Sequence, residues 1–269
     1  MQGQGDIASP AVAGIAAVAI ASWELLSRSS PKIAFLISQP SEIVAALHGM
    51  AGSGSLLVDA GVTAAEALSG IAIGTVFGSA LGLGLWMSRR AARIAAPFIG
   101  VAANFPVFAL APAAIVWLGI GVGMKVCLAA GATFFVSLQL AHQGARTAQE
   151  QFGGVFDGFR ASRWDTYTKI IVPGALGSVF SSMRVSVGLG MLGAFIGEFI
   201  ASENGLGRAI LRASGLYQID RVFAASLCIV ALAGVFDRLA LAIQQEHLGI
   251  ARLCGLPRSL RSRARGARA

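Results

Sequence analysis

Residues 62–87 read VTAAEALSGIAIGTVFGSALGLGLWM and stop at Ser88-Arg89-Arg90. About 20 mostly apolar residues suffice for a helix to cross a bilayer, so this stretch predicts a membrane span. Within it Gly70, Gly74, Gly78 and Gly82 recur at every fourth position. On a helix that spacing makes one continuous small-residue face. Such faces let backbones approach closely in lipid, where packing replaces the hydrophobic drive.

Five further stretches read the same way: 7–26, 94–118, 126–141, 176–201 and 222–243. The first lacks a positive leader and has Trp23-Glu24 where a cleavage site would fall, so it is expected to be a retained helix rather than a signal peptide. The third carries Pro97, Pro106 and Pro112 and is expected to be kinked or interrupted. The composition agrees with a polytopic membrane protein. Of 269 residues 55% are hydrophobic, 34 more are glycine, and only 13% are charged. The mean hydropathy is +0.72. Such a chain has too few polar residues to cover a soluble surface, and it is too apolar to be disordered. Cys127, Cys228 and Cys254 are too few and too far apart for a disulfide scaffold. The expected fold is all-α, with about six transmembrane helices in one domain over 1–249.

The net charge of +8 does not point to nucleic acid. Six arginines fall in 250–269, and no aromatic-rich basic stripe accompanies the others. This tail is expected to be a disordered positive anchor near anionic lipid. With six spans both termini share one side. Placing them in the cytoplasm puts fifteen Lys and Arg inside and six (Arg28, Lys32, Lys125, Arg208, Arg212, Arg221) outside, as the positive-inside rule favours.

Two segments between spans carry pattern. In 27–61, Ser41 after Pro40 is expected to cap a short helix. Its Ile43, Ala46, Leu47 and Met50 form an amphipathic face along the outer membrane surface. In the cytoplasmic loop, 142–175, Phe152, Val155, Phe156 and Phe159 again fall at i, i+3, i+4, i+7. Ala161 and Ser162 break that pattern. Ser162 with Asp165 three residues on resembles a capping box. Trp164, Tyr167 and Ile171 give a second apolar face, and Pro173 is expected to end it. Two short helices at an angle, with exposed aromatics, read as a docking surface for a partner. Packing on the protein's own helix ends is the alternative.

Catalytic and cofactor motifs fail on spacing or context. The nearest approach to a P-loop, Gly119–Lys125, has Met124 where the second glycine belongs. Gly188, Gly190 and Gly193 match G-x-G-x-x-G but lie inside an expected span with no preceding strand, so helix packing explains them better than a dinucleotide. His48, His142 and His247 have no second ligand at metal spacing. Polar residues inside spans remain as candidates for a translocation path: Asn104, Ser137, Gln139, Arg184 and Glu198. The last two are 14 residues, or roughly 21 Å, apart on one helix.

Longer stretches resemble a known family. They are Phe159–Pro173 (FRASRWDTYTKIIVP), Met183–Gly188 (MRVSVG) and Gly197–Gly207 (GEFIASENGLG). Shorter pieces accompany them: Trp23-Glu24-Leu25-Leu26, Gln39-Pro40-Ser41-Glu42, Phe105-Pro106 with Leu110-Ala111-Pro112, Trp117–Gly121, and Asp220-Arg221-Val222-Phe223. Together they look like the permease subunit of binding-protein-dependent ABC importers, nearest to the nitrate/sulfonate/taurine type. The family's cytoplasmic signature is Glu-Ala-Ala, three residues, Gly, nine residues, Ile-x-Leu-Pro. Pro173 sets its register, and Ile170 and Val172 fit its end. Arg160 stands at the glycine, and Gly154, Val155 and Phe156 stand at Glu-Ala-Ala, so the first half of the signature is absent.

The resemblance implies a type I importer permease whose coupling helix, with Phe152, Val155, Phe156, Phe159, Arg160, Ala161 and Pro173, docks on an ATPase subunit. It implies a second permease copy, a pair of cytoplasmic ATP-binding subunits that hold ATP and Mg, and an extracytoplasmic solute-binding protein. It implies no catalysis and no cofactor on this chain. The expected solute is a small anion such as a sulfonate, taurine, nitrate or bicarbonate. The alternatives are a pyrimidine or flavin vitamin precursor, or a stand-alone channel or secondary transporter uncoupled from ATPase.

Overall fold

The computed structural model describes the backbone of residues 10–102, 106–157 and 162–254, and the side chains of 12–101, 106–151 and 162–245. Helices dominate, with no strand among the described residues. They are α1 (Pro10–Arg28), α2 (Pro31–Ile37), α3 (Pro40–Gly52), α4 (Ser55–Gly84), α5 (Arg89–Ala102), α6 (Ala111–Leu118), α7 (Val122–Asp157), α8 (Arg163–Thr166), α9 (Val172–Ile200), α10 (Leu206–Gly215) and α11 (Ile219–Cys254).

Four segments are long and apolar enough to cross a membrane: Ser55–Met87, Val122–Gln151, Arg163–Ile200 and Ile219–Gln245. They coincide with the second, fourth, fifth and sixth expected spans, the fifth ending one residue earlier than expected. Helices α2 and α3, bent by 47°, make a fifth if taken as one span. The first expected span is α1, whose 19 residues reach about 28 Å; its Val12, Ile15, Val18 and Leu25 are exposed. The third is interrupted, as its prolines predict. Helix α5 ends at Ala102 and a shorter apolar stretch runs over Val107–Leu118. Gly119, at φ 74, then closes α6 with its N–H on the Ile115 carbonyl at 2.8 Å. Positive φ is open to glycine at little cost, which explains the Trp117–Gly121 motif.

Three local expectations are corrected. Ser41 does not cap α3: the cap is Gln39, and Pro40 takes the first turn, where its missing N–H costs nothing. The loop 142–175 does not begin with a separate short helix. Helix α7 runs unbroken for 36 residues, about 54 Å, because no proline lies between Leu140 and Asp157. That is well beyond the ~30 Å hydrocarbon core, so one end of α7 projects from the membrane. Pro173 does not end the second loop helix; it sits in the first turn of α9. A proline ring in a helix clashes with the carbonyl four residues earlier. The chain relieves this by widening into a π-helical turn over Tyr167–Ile171, where the Val172 N–H reaches back to the Tyr167 carbonyl. The Ser162 cap stands as expected: its Oγ accepts from the Asp165 N–H at 3.1 Å and pairs with the Asp165 carboxylate.

The chain forms two compact units, Met1–Ala64 with Glu198–Ala231 and Ala65–Gly197 with Leu232–Ala269. In the first unit, the Glu24 carboxylate accepts from the Ser41 N–H at 3.1 Å and the Ser41 Oγ at 2.8 Å. A negative group at a helix N-terminus is favourable, so α1 holds the start of α3. Trp23 meets Phe223 edge-on at 5.8 Å. The sequence pieces around Trp23, Ser41 and Phe223 are thus packing partners.

Candidate functional site

In the second unit, α4, α7 and α9 meet along a seam made by glycine. A Cβ at Gly70 would overlap Ala129, one at Gly74 would overlap Thr133 and the Ala130 carbonyl, and ones at Gly78 and Gly82 would overlap the carbonyls of Phe134 and Leu138. The four-residue stripe is the face on which α7 lies. The α9 glycines continue the seam: Gly190 against Ile71, Gly193 against the Ala129 backbone, Gly197 against Lys125. The G-x-G-x-x-G residues Gly190 and Gly193 are therefore helix-packing positions.

One charged pair lies in this seam. Lys125 Nζ on α7 pairs with the Glu66 carboxylate on α4, with side chains 5% and 2% exposed. Taking two charges out of water is costly, and their attraction offsets the cost only at close range. Gly197 provides the room for the Lys125 stem. Sequence reading missed both residues. It placed Lys125 one residue outside its span and gave no role to Glu66, although an acid inside an apolar run was the available signal.

Of the expected path residues, Ser137, Gln139 and Arg184 fall in the second unit and Glu198 in the first. Ser137 is fully buried and shares a hydroxyl contact of 3.2 Å with Ser186 on α9, while Gln139, two residues on, is exposed. Arg184 is clamped by Asp237 on α11, Nε to Oδ1 at 2.7 Å and Nη2 to Oδ2 at 3.1 Å. This two-pronged pair was not foreseen from sequence. Asn104 lies outside the described residues, as do Phe159, Arg160 and Ala161 of the coupling set. Phe152, Val155 and Phe156 fall on the last turns of α7, and their side chains are outside the description.

In the first unit, Glu198 is fully buried and works as a helix anchor. One carboxylate oxygen accepts from the Thr63 hydroxyl at 2.6 Å and the other from the Gly207 N–H at 2.6 Å. The Leu206 N–H reaches Thr63 Oγ1 at 2.9 Å, and the Gly205 N–H reaches Asp59 Oδ1 at 2.8 Å. Three successive N–H groups at the start of α10, which have no partner inside the helix, are thereby satisfied by α4 and α9. Gly205 has φ 116, and a Cβ there would overlap the Glu198 carboxylate. The motif Gly197–Gly207 is a carboxylate-capped turn.

At the far end of the second unit, Trp86 stacks on Tyr167 with centroids at 6.0 Å, and Tyr167 meets Trp164 at 5.8 Å. Trp86 Nε1 donates to Gln149 at 2.6 Å, and Arg163 to the Met87 carbonyl at 3.3 Å. Ile171, Ala145 and Ala148 are buried beside these rings. The turn before α9, the projecting part of α7 and the end of α4 are thus one packed block.

An all-helical chain with long apolar helices, small-residue seams and a packed loop at one helix end defines a multi-pass membrane transport component. Residues 70–247 match the family model of the binding-protein-dependent transport system inner membrane component, and the chain belongs to that family. It is similar to the formylaminopyrimidine transport permease protein ThiX of Halalkalibacterium halodurans, 26% identical, covering 81% of this chain and 86% of that protein. It is also similar to the putative aliphatic sulfonates transport permease protein SsuC of Escherichia coli, 27% identical, covering 81% and 83%. Its fold matches a chain of the MetNI methionine ABC transporter in an inward-facing conformation, with a TM-score of 0.64 at 14% identity, covering 72% of this chain and 97% of that one. The chain is thus an ABC importer permease of the inner membrane, with the type I permease fold.

Proposed function

We propose that this permease moves a small anion of the sulfonate, taurine, nitrate or bicarbonate kind, delivered by a soluble binding protein on the outer face. ATP and Mg are held and used by a separate pair of cytoplasmic subunits, and this chain performs no covalent step. Two copies form the pore, with both termini in the cytoplasm. The coupling segment Phe152–Ala161 with Pro173 meets the ATPase. The observation that carries this reading is the similarity to a sulfonate permease over four-fifths of both chains.

The packed block around Tyr167 supports the coupling role, because energetic coupling between a loop and a gate requires a physical connection with two arrangements. Arg184 is paired with Asp237 and Lys125 with Glu66, so neither of these two cations is set aside for an anion. In this reading specificity rests with the binding protein.

A second reading, uptake of a pyrimidine-type vitamin precursor, is favoured by the comparable match to ThiX. Proteoliposomes holding the permease, its ATPase and its binding protein distinguish the two. ATP-dependent uptake of labelled taurine supports the first, and uptake of labelled formylaminopyrimidine alone replaces it with the second. Loss of the copurifying ATPase in Phe156→Ala/Phe159→Ala supports the coupling assignment. Retention of a stoichiometric ATPase by that variant removes it.

A further inference from the structure

Beyond α4 the chain leaves its apolar run at Gly84, turns over Leu85–Met87, and enters α5 with Arg89, Arg90 and Arg93. All three arginines are exposed, and α5 contains no acidic residue. A fourth arginine joins them from another element: Arg163 of α8 donates to the Met87 carbonyl at 3.3 Å, two residues from Arg89. Beside it the Trp164 ring is 63% exposed and is held at 5.8 Å from Tyr167. The nearby acid in α8, Asp165, is bound by Lys169 at 2.6 Å and by Ser162. Further along α5, Ile94, Phe98 and Val101 fall at i, i+4, i+7 and are 68%, 70% and 72% exposed. The arginine cluster is thus followed along α8 by an exposed indole and along α5 by a bare apolar stripe.

Each part has one physical preference. The cluster follows directly on a segment long and apolar enough to cross a membrane, and the end of a segment that crosses lies at headgroup depth. Tryptophan is favoured at that depth because its ring is apolar on one side and polar on the other. Basic side chains beside a membrane span attract anionic headgroups. An exposed apolar stripe next to arginines is the pattern of a helix that puts one face into acyl chains. We propose that Arg89, Arg90, Arg93 and Arg163, with Trp164, form a binding site for an anionic phospholipid headgroup, whose acyl chains lie along Ile94, Phe98 and Val101. Because Arg163 and Trp164 belong to the block that leads into α9, the bound lipid braces the loop against the end of α4. The site requires only that the chain spans a membrane and is independent of which solute it carries.

The test uses the full chain in neutral detergent with phosphatidylglycerol as probe and phosphatidylcholine as reference, read by native mass spectrometry. Each basic side chain contributes about fivefold in affinity. Arg89→Gln/Arg90→Gln/Arg93→Gln is expected to weaken phosphatidylglycerol binding on the order of 100-fold, while Arg89→Lys/Arg90→Lys/Arg93→Lys retains most of it. The wild-type preference for phosphatidylglycerol is expected to collapse as salt rises from about 0.05 to about 0.5 M. This readout needs no variant to fold. Quenching of tryptophan emission by brominated phosphatidylglycerol is expected to drop in Trp164→Phe. Unchanged phosphatidylglycerol binding in the Gln variant, or a salt-independent preference in the wild type, overturns the proposal. If the Gln variant keeps its lipid and loses the copurifying ATPase, the cluster is a protein contact instead.

Discussion

Glu66 and Lys125 are buried against each other across α4 and α7, each almost fully removed from solvent. Removing one partner of such a pair leaves the other charge uncompensated, which costs about 3–5 kcal/mol. Replacing both by apolar residues of similar size is often neutral. Glu66→Leu and Lys125→Met are each expected to lower the melting temperature of the purified protein strongly. The double variant is expected to recover most of the loss. A double-mutant cycle on detergent-solubilised protein checks this, and additive losses in the double variant would show that the two charges act independently.

The glycine seam gives a graded expectation. Gly74→Ala and Gly78→Ala place a methyl group into Thr133 and into the carbonyls of Ala130 and Phe134. Backbone carbonyls cannot move aside as a side-chain tip can, and overpacking of this kind costs about 1–3 kcal/mol. Gly61→Ala and Gly84→Ala, on the same helix, meet nothing within 4 Å. Their melting temperatures are expected to equal or exceed the wild type, since alanine favours the helix by up to ~1 kcal/mol. Equal losses at all four positions would contradict close packing on one face only.

Much of this was readable before the structure. A four-residue glycine period has one geometric meaning on a helix, and three prolines within a span mark a break. Ser162 with Asp165 marks a cap because the spacing itself makes the hydrogen bond. The readings that failed concern competition between neighbours. Ser41 is a good cap by type, but Pro40 takes the first helical turn and Glu24, seventeen positions away, binds the serine. Pro173 reads as a stop, but the π-helical turn absorbs it. A further contact, that of Glu198 with the Thr63 hydroxyl and the Gly207 N–H, was hidden because sequence shows only a carboxylate in a span. Asp237 gave no signal from α11 that it would meet Arg184.

That anchor predicts a local rather than a global effect. Glu198→Ala removes acceptors for Thr63 and for the Gly207 N–H, and hydrogen bonds to a charged group are worth about 1.5–3 kcal/mol each. Hydrogen exchange in 203–210 is expected to accelerate, with little change along α7. Gly205→Ala is expected to be more damaging, because it combines a disfavoured φ with overlap on the Glu198 carboxylate. Uniform acceleration across the protein would mean that Glu198 supports the whole fold rather than this turn.

Arg184 separates a structural ion pair from a solute contact. Both side chains of the Arg184–Asp237 pair are partly exposed, at 47% and 40%, so in water their mutual contribution would be small; in lipid an unpaired charge is more expensive. If the pair only holds α9 to α11, Arg184→Gln/Asp237→Asn removes both charges, leaves two amides that can still hydrogen-bond, and is expected to transport with unchanged KM. Arg184→Gln alone is expected to lower stability and yield, because it leaves Asp237 charged and unpaired. A raised KM for an anionic solute in the double variant, with kcat and melting temperature preserved, would instead place Arg184 in the path.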